Sequence, residues 1–361
     1  MAEALKDMYN ESFFTQFCTI VKQEYHEFDS DLFLNLIFDD DWENKELKQR
    51  IRHISHALST TLPPSYPEAI KVLTKISSDC IGFEYLFFPD FIEKYGLMDW
   101  DVSITALKQF TSSSSSEFAV RPFIEHDPQK MMPILEQWAQ DKDHHVRRLA
   151  SEGCRPRLPW AKPLKIFKHD PTAILPILTL LKSDESDYVR KSVANNLNDI
   201  SKDHPDLVKK IFLEWKGQHP HTDWIIKHGA RTLLKKADPE VLSIFGFDPE
   251  ANVQINDLSV SLYHLAIGDT FTFQFKLINH SLHSHKLRVE YAIDFVKANG
   301  KVSRKIFKMT ENTYKSGEVT FLRNHSFKDL STRKHYEGEH RLSIVINGKE
   351  MAETFFQLNS H

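Results

Sequence analysis

The sequence predicts a mainly α-helical chain in two parts: paired helices over residues 1–250, then a β-sandwich over residues 251–361. Three observations predict it. First, HDPQKMMPILEQWAQDKDHHVRRLASEG (126–153) aligns with HDPTAILPILTLLKSDESDYVRKSVANNL (169–197), so that His126 matches His169 and Val146 matches Val189 at a spacing of 43 residues. A looser third copy spans 204–236, with Ile226 in the place of Val189 and Ala230 in the place of Ala150. A period near 40 with two helical patterns per unit is the signature of a HEAT-like α-solenoid, in which stacked helix pairs bury a continuous core. Second, Asp127-Pro128 and Asp170-Pro171 each put an N-cap acceptor before a proline at the first helical position, where its missing N–H costs nothing. Helix A of each unit is therefore expected to start there, and Asp143 and Asp187 are expected to cap the second helices. Third, DTFTFQFKLIN (269–279) and HRLSIVING (340–348) alternate with period two, KLRVEYAIDFV (286–296) is rich in β-formers, and ANGK and INGK carry Asn-Gly hairpin turns. About seven short strands in about 110 residues is the size of an immunoglobulin-like sandwich.

Residues 1–110 carry helical patterns, for example LKQRIRHISHAL (47–58) and PEAIKVLTKISSDC (67–80), but match the repeat poorly. They form an atypical N-terminal helical portion. The run TSSSSSEFAV (111–120) is expected to start a helix, because Ser114 and Glu117 have capping-box spacing.

Composition bounds the function. The chain has 361 residues, 41% apolar, with a net charge of −4, enough for two or three domains. No apolar run of 18 residues occurs, and MAEALKDMYNESFF lacks the pattern of a signal peptide, so a soluble cytoplasmic protein is expected. Three widely spaced cysteines, Cys18, Cys80 and Cys154, exclude a full disulfide framework and any CxxC metal pair. The charge is uneven along the chain: residues 1–100 hold 9 basic and 18 acidic side chains, residues 101–250 hold 22 and 21, and residues 251–361 hold 15 and 11. Nineteen histidines fall in no ligand pattern, and P-loop, GxGxxG, HExxH and GxSxG motifs are absent. Neither a metal nor a cofactor is expected.

The informative feature is the segment 144–168. It holds Arg147, Arg148, Arg155, Arg157, Lys162, Lys165 and Lys168 against a single acid, Glu152. In the repeat register Arg147, Arg148, Arg190, Lys191, Lys227 and Arg231 occupy comparable positions in successive second helices, the arrangement of a cationic ladder for a phosphate backbone. A solvated helix face has the same pattern. Directly after the first such helix, the Pro-stiffened loop Cys-Arg-Pro-Arg-Leu-Pro-Trp160 combines two cations with an aromatic face, which favours nucleic acid.

On these residues, VRRLASEGCRPRLPWAKPL (146–164) resembles the AlkC branch of the AlkC/AlkD DNA alkylation repair glycosylases. The resemblance implies hydrolysis of the N-glycosidic bond of cationic alkylated bases, 3-methyladenine and 3-methylcytosine, in duplex DNA, the first step of base excision repair. It implies Glu117, Glu152, Trp160 and Asp199 as catalytic positions: Asp199 and Glu152 for water positioning and oxocarbenium stabilisation, Trp160 against the lesion nucleotide, Glu117 in support. DNA contacts are expected from Arg121, Arg147, Arg148, Arg155, Arg157, Arg190, Lys191, Lys227 and Arg231. The partner is alkylated double-stranded DNA, with no membrane and no obligate protein partner; a monomer, nucleoid-associated when bound to DNA, is expected. Read without the resemblance, the acids fit helix-end ion pairs and the tryptophan fits core packing. The alternative function is a non-catalytic HEAT-repeat scaffold that binds nucleic acid or protein.

Overall fold

The computed structural model describes residues 5–248, 250–329 and 334–360. Contacts divide the chain into two compact units, Met1–His204 with Trp215–Gly229, and Pro205–Glu214 with Ala230–His361. The change from helix to strand falls between Ile244 and Val253, close to residue 250. The compact grouping differs from the expected domains, because the helical segments 205–214 and 230–248 group with the strands.

The N-terminal portion is helical: α1 (Glu11–Glu24), α2 (Ser30–Ile37), α3 (Leu47–Thr61), α4 (Tyr66–Ile76), α5 (Phe87–Tyr95) and α6 (Trp100–Ser113). Asn10 and Asp29 cap α1 and α2, accepting the N–H groups of Phe13 and Leu32; such caps satisfy donors a helix cannot pair internally. The apolar faces meet in an aromatic core. Phe17 of α1 lies 5.8 Å from Phe33 and 5.2 Å from Phe87, centroid to centroid, and all three rings are buried. Edge-on and tilted geometries of this kind avoid facing π-clouds.

The repeats follow as α7 (Arg121–His126), α8 (Pro128–Trp138), α9 (His144–Gly153), α10 (Lys165–His169), α11 (Leu175–Leu181) and α12 (Asp187–Ile200), then α13 (Pro205–Trp215), α14 (Pro220–Gly229), α15 (Arg231–Lys235) and α16 (Pro239–Ile244). In the first unit α6, α9, α12 and α14 pack side by side as one layer, and α8 and α11 back it. This is the two-layer HEAT-like stack that the 43-residue period predicts. Val146, Val189 and Ile226, matched in the repeat register, are all buried.

Asp127 caps α8 and Asp143 caps α9, as expected. Three cap expectations are corrected. Asp170 accepts the Thr172 N–H but opens a single 3-10 turn, and α11 starts only at Leu175. The N-cap of α12 is Ser186, the residue in register with Asp143; Asp187 is already helical and pairs with Arg190 and Lys191 instead. Ser114 starts no helix. It is the C-cap of α6, residues 117–120 form a turn, and the buried Ser116 hydroxyl donates to the Leu107 carbonyl.

The second unit holds β1 (Val253–Val260), β2 (His264–Ala266), β3 (Thr270–Asn279), β4 (His285–Val296), β5 (Val302–Tyr314), β6 (Gly317–Ser326), β7 (Gly338–Ile346) and β8 (Lys349–Asn359). They form a three-stranded sheet, β1-β3-β6, and a five-stranded sheet, β2-β8-β7-β4-β5. All pairings are antiparallel except β2 with β8. Phe271, Phe273, Phe275 and Leu277 alternate inward from β3 against Leu287, Val289, Leu342, Ile344 and Phe356 of the other sheet, the inner-face arrangement of an immunoglobulin-like sandwich. Asn347 and Gly348, both at positive φ, turn β7 into β8, as the Asn-Gly pair predicts.

Candidate active site

The two main repeats share a brace. Arg147 donates to the carbonyls of Asp141 and Lys142, and its counterpart Arg190 donates to those of Asp184 and Glu185. The brace also ties repeat to repeat, since Arg147 makes a two-pronged ion pair with Asp184, Nε–Oδ2 2.6 Å and Nη2–Oδ1 3.1 Å. Lys108 of α6 reaches the matching Asp141 at 2.6 Å. Two members of the expected cationic ladder, Arg147 and Arg190, are thus committed to the scaffold. Lys191 is exposed and pairs along its own helix with Asp187. Lys227 lies in the first unit, half-buried, and Arg231 in the second.

One turn beyond Arg147 the scaffold gives way to a charged cluster. Glu152 ends α9 and Asp199 nearly ends α12, with carboxylates 6% and 1% exposed as residues. Arg155 joins them, Nη1 to Glu152 Oε1 at 2.7 Å and Nε to Asp199 Oδ2 at 2.9 Å, and Lys202 adds a contact to Asp199 Oδ1 at 3.0 Å. Arg148 completes the group. It donates to Glu117 Oε2 and to the Ser115 hydroxyl, both at 2.9 Å, lies 3.5 Å from Glu152 Oε1, and stacks over Tyr188 at 4.8 Å. Three acids therefore face three bases. Burial alone lowers the Arg155 and Arg148 pKa values, but the adjoining carboxylates outweigh it and both are raised. Beneath, a polar seam fixes the spacing of α9 and α12: Ser151 Oγ meets Ser192 Oγ at 2.7 Å and the Asn196 amide donates to the Ser151 carbonyl at 2.8 Å. Cys154 is packed into this seam, buried with its thiol on the Ala150 carbonyl, and burial pushes its pKa up to about 12, the environment of a structural rather than a reactive thiol.

The loop after α9 is held from inside by Arg121. That side chain was expected to meet phosphate, and the structure corrects the expectation: it is 5% exposed and donates to the carbonyls of Gly153, Arg155 and Lys162 at 2.9, 2.9 and 2.7 Å. Burial pulls its pKa down to about 10. Gly153 is needed at the junction, because an added Cβ would sit 2.4 Å from Val120 Cγ1. Arg157 pairs with Asp203 at 2.7 Å. Trp160 stands at the loop's apex with 61% of its surface exposed, so it is no core residue. Lys162 and Lys165 beside it are exposed as well.

Thus Glu117, Glu152 and Asp199 converge with Arg148 and Arg155, and Trp160 rises from the loop that Arg155 begins. Tyr188 was missed. Its signal was the repeat register, where an aromatic replaces His145 one residue before the shared valine. Among the described residues one group of metal-ligand type occurs, Asp143-His144-His145. Its carboxylate already accepts the His145 N–H and the Ser112 hydroxyl. No described helix is long and apolar enough to cross a membrane.

Comparison with known proteins resolves the family. A "DNA alkylation repair enzyme" family model matches residues 105–233, which contain the whole cluster, and a model of the C-terminal Ig-like domain of YhaZ matches residues 254–360. The structure of the alkylpurine DNA glycosylase AlkC of Pseudomonas fluorescens, bound to DNA containing an abasic-site analogue, superposes with a TM-score of 0.96 at 36% identity, covering 99% of this chain and all of that one. The chain belongs to the AlkC-type DNA alkylation repair family. The uncharacterised protein YhaZ of Bacillus subtilis is 48% identical over 355 residues, 98% of this chain and 99% of its own. The likeness to the AlkC structure includes the N-terminal portion and the sandwich.

Proposed function

We propose that the chain is a DNA glycosylase that hydrolyses the N-glycosidic bond of cationic alkylated bases, 3-methyladenine and 3-methylcytosine, in double-stranded DNA and so initiates base excision repair. The observation that carries this reading is the Glu152–Arg155–Asp199 cluster beside an exposed tryptophan, in a chain that matches AlkC along its full length. Alkylation already makes the base a cationic leaving group. What remains for the protein is the positive charge that develops on the deoxyribose as the bond breaks. A fixed carboxylate at ~4 Å, with an effective dielectric of ~20, interacts with such a charge by about 4 kcal/mol, on the order of a thousandfold in rate if felt only in the transition state. Arg155 offsets part of that field, and in exchange it fixes both carboxylates before substrate arrives, so no reorganisation accompanies the reaction. Asp199 and Glu152 act in charge stabilisation and in orienting the attacking water. Glu117 orients Arg148, and Trp160 offers its ring face to the lesion nucleotide.

Phosphate contacts fall to exposed cations, Lys162, Lys165 and Lys191 foremost, with Arg157 where DNA competes with Asp203. We take the protein to act as a monomer in the bacterial cytoplasm, at the nucleoid. Its three free, buried cysteines suit a reducing compartment. Incubation of the purified protein with methylated duplex DNA should release 3-methyladenine and 3-methylcytosine, identified by mass spectrometry. Absence of both overturns the proposal.

A further inference from the structure

Trp160 has an unusual backbone. It is one of four described non-glycine residues at positive φ, at 64°, a region that costs a residue with a Cβ and persists only where neighbours hold it. From inside, the loop is closed by Arg121 on the Lys162 carbonyl and by backbone bonds from Ala161 to Leu158 and from Leu164 to Pro156. From outside, a side chain of α3 reaches the apex. The Lys48 ammonium, on α3 and 112 residues away in sequence, donates to the Trp160 carbonyl at 2.6 Å. The same ammonium lies 4.5 Å over the ring of Phe118, the neighbour of Glu117. Lys48, Phe118 and Trp160 line one hollow together with Leu47, Ile51 and Phe83.

We propose that Lys48 is a positioning residue for Trp160, by which the N-terminal portion, outside the 105–233 match, sets where the exposed indole points. The chemistry fits a latch better than a phosphate contact. One proton of the ammonium is taken by a carbonyl, and the ring face of Phe118 restricts the charge from the other side. The bond ends on the carbonyl of the residue with the left-handed backbone itself. This inference rests on the proposed role of Trp160 in the reaction, but the latch itself is testable apart from it.

Lys48→Met keeps the stem and removes the donor; Lys48→Arg restores a donor. Hydrogen exchange of a peptide covering residues 158–164, in the full chain without DNA, should accelerate by about tenfold in Lys48→Met, as expected on losing one stabilising contact, and return towards wild type in Lys48→Arg. Unchanged exchange in Lys48→Met overturns the latch. In single-turnover base release from methylated duplex, Lys48→Met should be slower by about tenfold, in the range a misplaced group costs, with DNA Kd unchanged. Combined with Trp160→Ala it should add nothing to that single change, because both act through one ring. Independent, multiplying effects, or a fall of about one in the salt slope of DNA binding, would make Lys48 a phosphate contact and overturn the proposal. If Trp160→Ala alone leaves release unchanged, the proposed role of Trp160 fails, and the exchange measurement still decides the latch.

Discussion

The two main repeats carry the same scaffold and different chemistry. At matched positions Asp141 and Asp184, Val146 and Val189, and Arg147 and Arg190 are identical, and each pair does the same structural job in both copies. Where the copies differ, the site appears. Arg148 turns onto Glu117 and Glu152, while its counterpart Lys191 stays exposed. Glu152 corresponds to Asn195, and Asp199 to Pro156. Shared charges thus hold the two copies together, and the unshared ones are those to which the proposed function assigns a role.

That contrast is open to attack. A large effect is expected at the unshared positions: Glu152→Gln should slow base release by about a hundredfold, the scale of losing one electrostatic partner of the transition state, with DNA affinity nearly kept. Next comes a shared position. Arg147→Ala leaves the buried Asp184 carboxylate without its two-pronged partner and should lower stability by about 2–3 kcal/mol, seen as a lower denaturant midpoint, without changing the salt slope of DNA binding. A slope change would put Arg147 on the phosphates after all. Lys191→Ala, the exposed counterpart of Arg148, should alter stability by less than about 0.5 kcal/mol; a larger loss would show that the copies are more alike than the contacts indicate.

A further contrast between the copies concerns the caps. Asp143 accepts a backbone N–H at the start of α9, whereas Ser186, its counterpart, makes no side-chain cap bond. Asp143→Ala should then cost about 1 kcal/mol and Ser186→Ala close to nothing. The Asp143 carboxyl is subject to burial, which raises its pKa, but the Ser112 hydroxyl and the His145 N–H outweigh this and hold it below the usual carboxylate range. A depressed pKa means stability that is present above the unfolded value, about 4, and lost as pH falls through the folded one. The Tm difference between wild type and Asp143→Ala should therefore shrink below about pH 4; a difference constant down to pH 2 would remove the charge from the account.

Much of this was legible in the sequence because it is local. The 43-residue spacing, the Asp-Pro cap at 127–128 and the Asn-Gly turns each need only a few neighbouring residues, and each appears in the fold. The Ser114–Glu117 spacing misled for the same reason: the local pattern fits a cap, but the chain leaves α6 at Ser114 and folds back so that the Ser116 hydroxyl meets the Leu107 carbonyl. Arg121 reads in sequence like any other arginine near a basic loop. Only its burial against three carbonyls shows that it holds the chain. The bridge from Glu152 through Arg155 to Asp199 spans two repeats, and Lys48 reaches Trp160 across 112 residues; no local pattern encodes either. Glu152 stands out in the sequence as the one acid of a basic segment, whereas Glu117 and Asp199 came through the family resemblance, not through spacing.

The proposed function rests on a buried carboxylate pair, Glu152 and Asp199, joined by Arg155. Its most direct test is single-turnover release of 3-methyladenine from methylated duplex DNA by Asp199→Asn with enzyme in excess. The account predicts a rate lower by about a hundredfold to a thousandfold, with DNA Kd within about threefold of wild type. An unchanged rate, or a rate loss explained by an equal loss of DNA affinity, would contradict it.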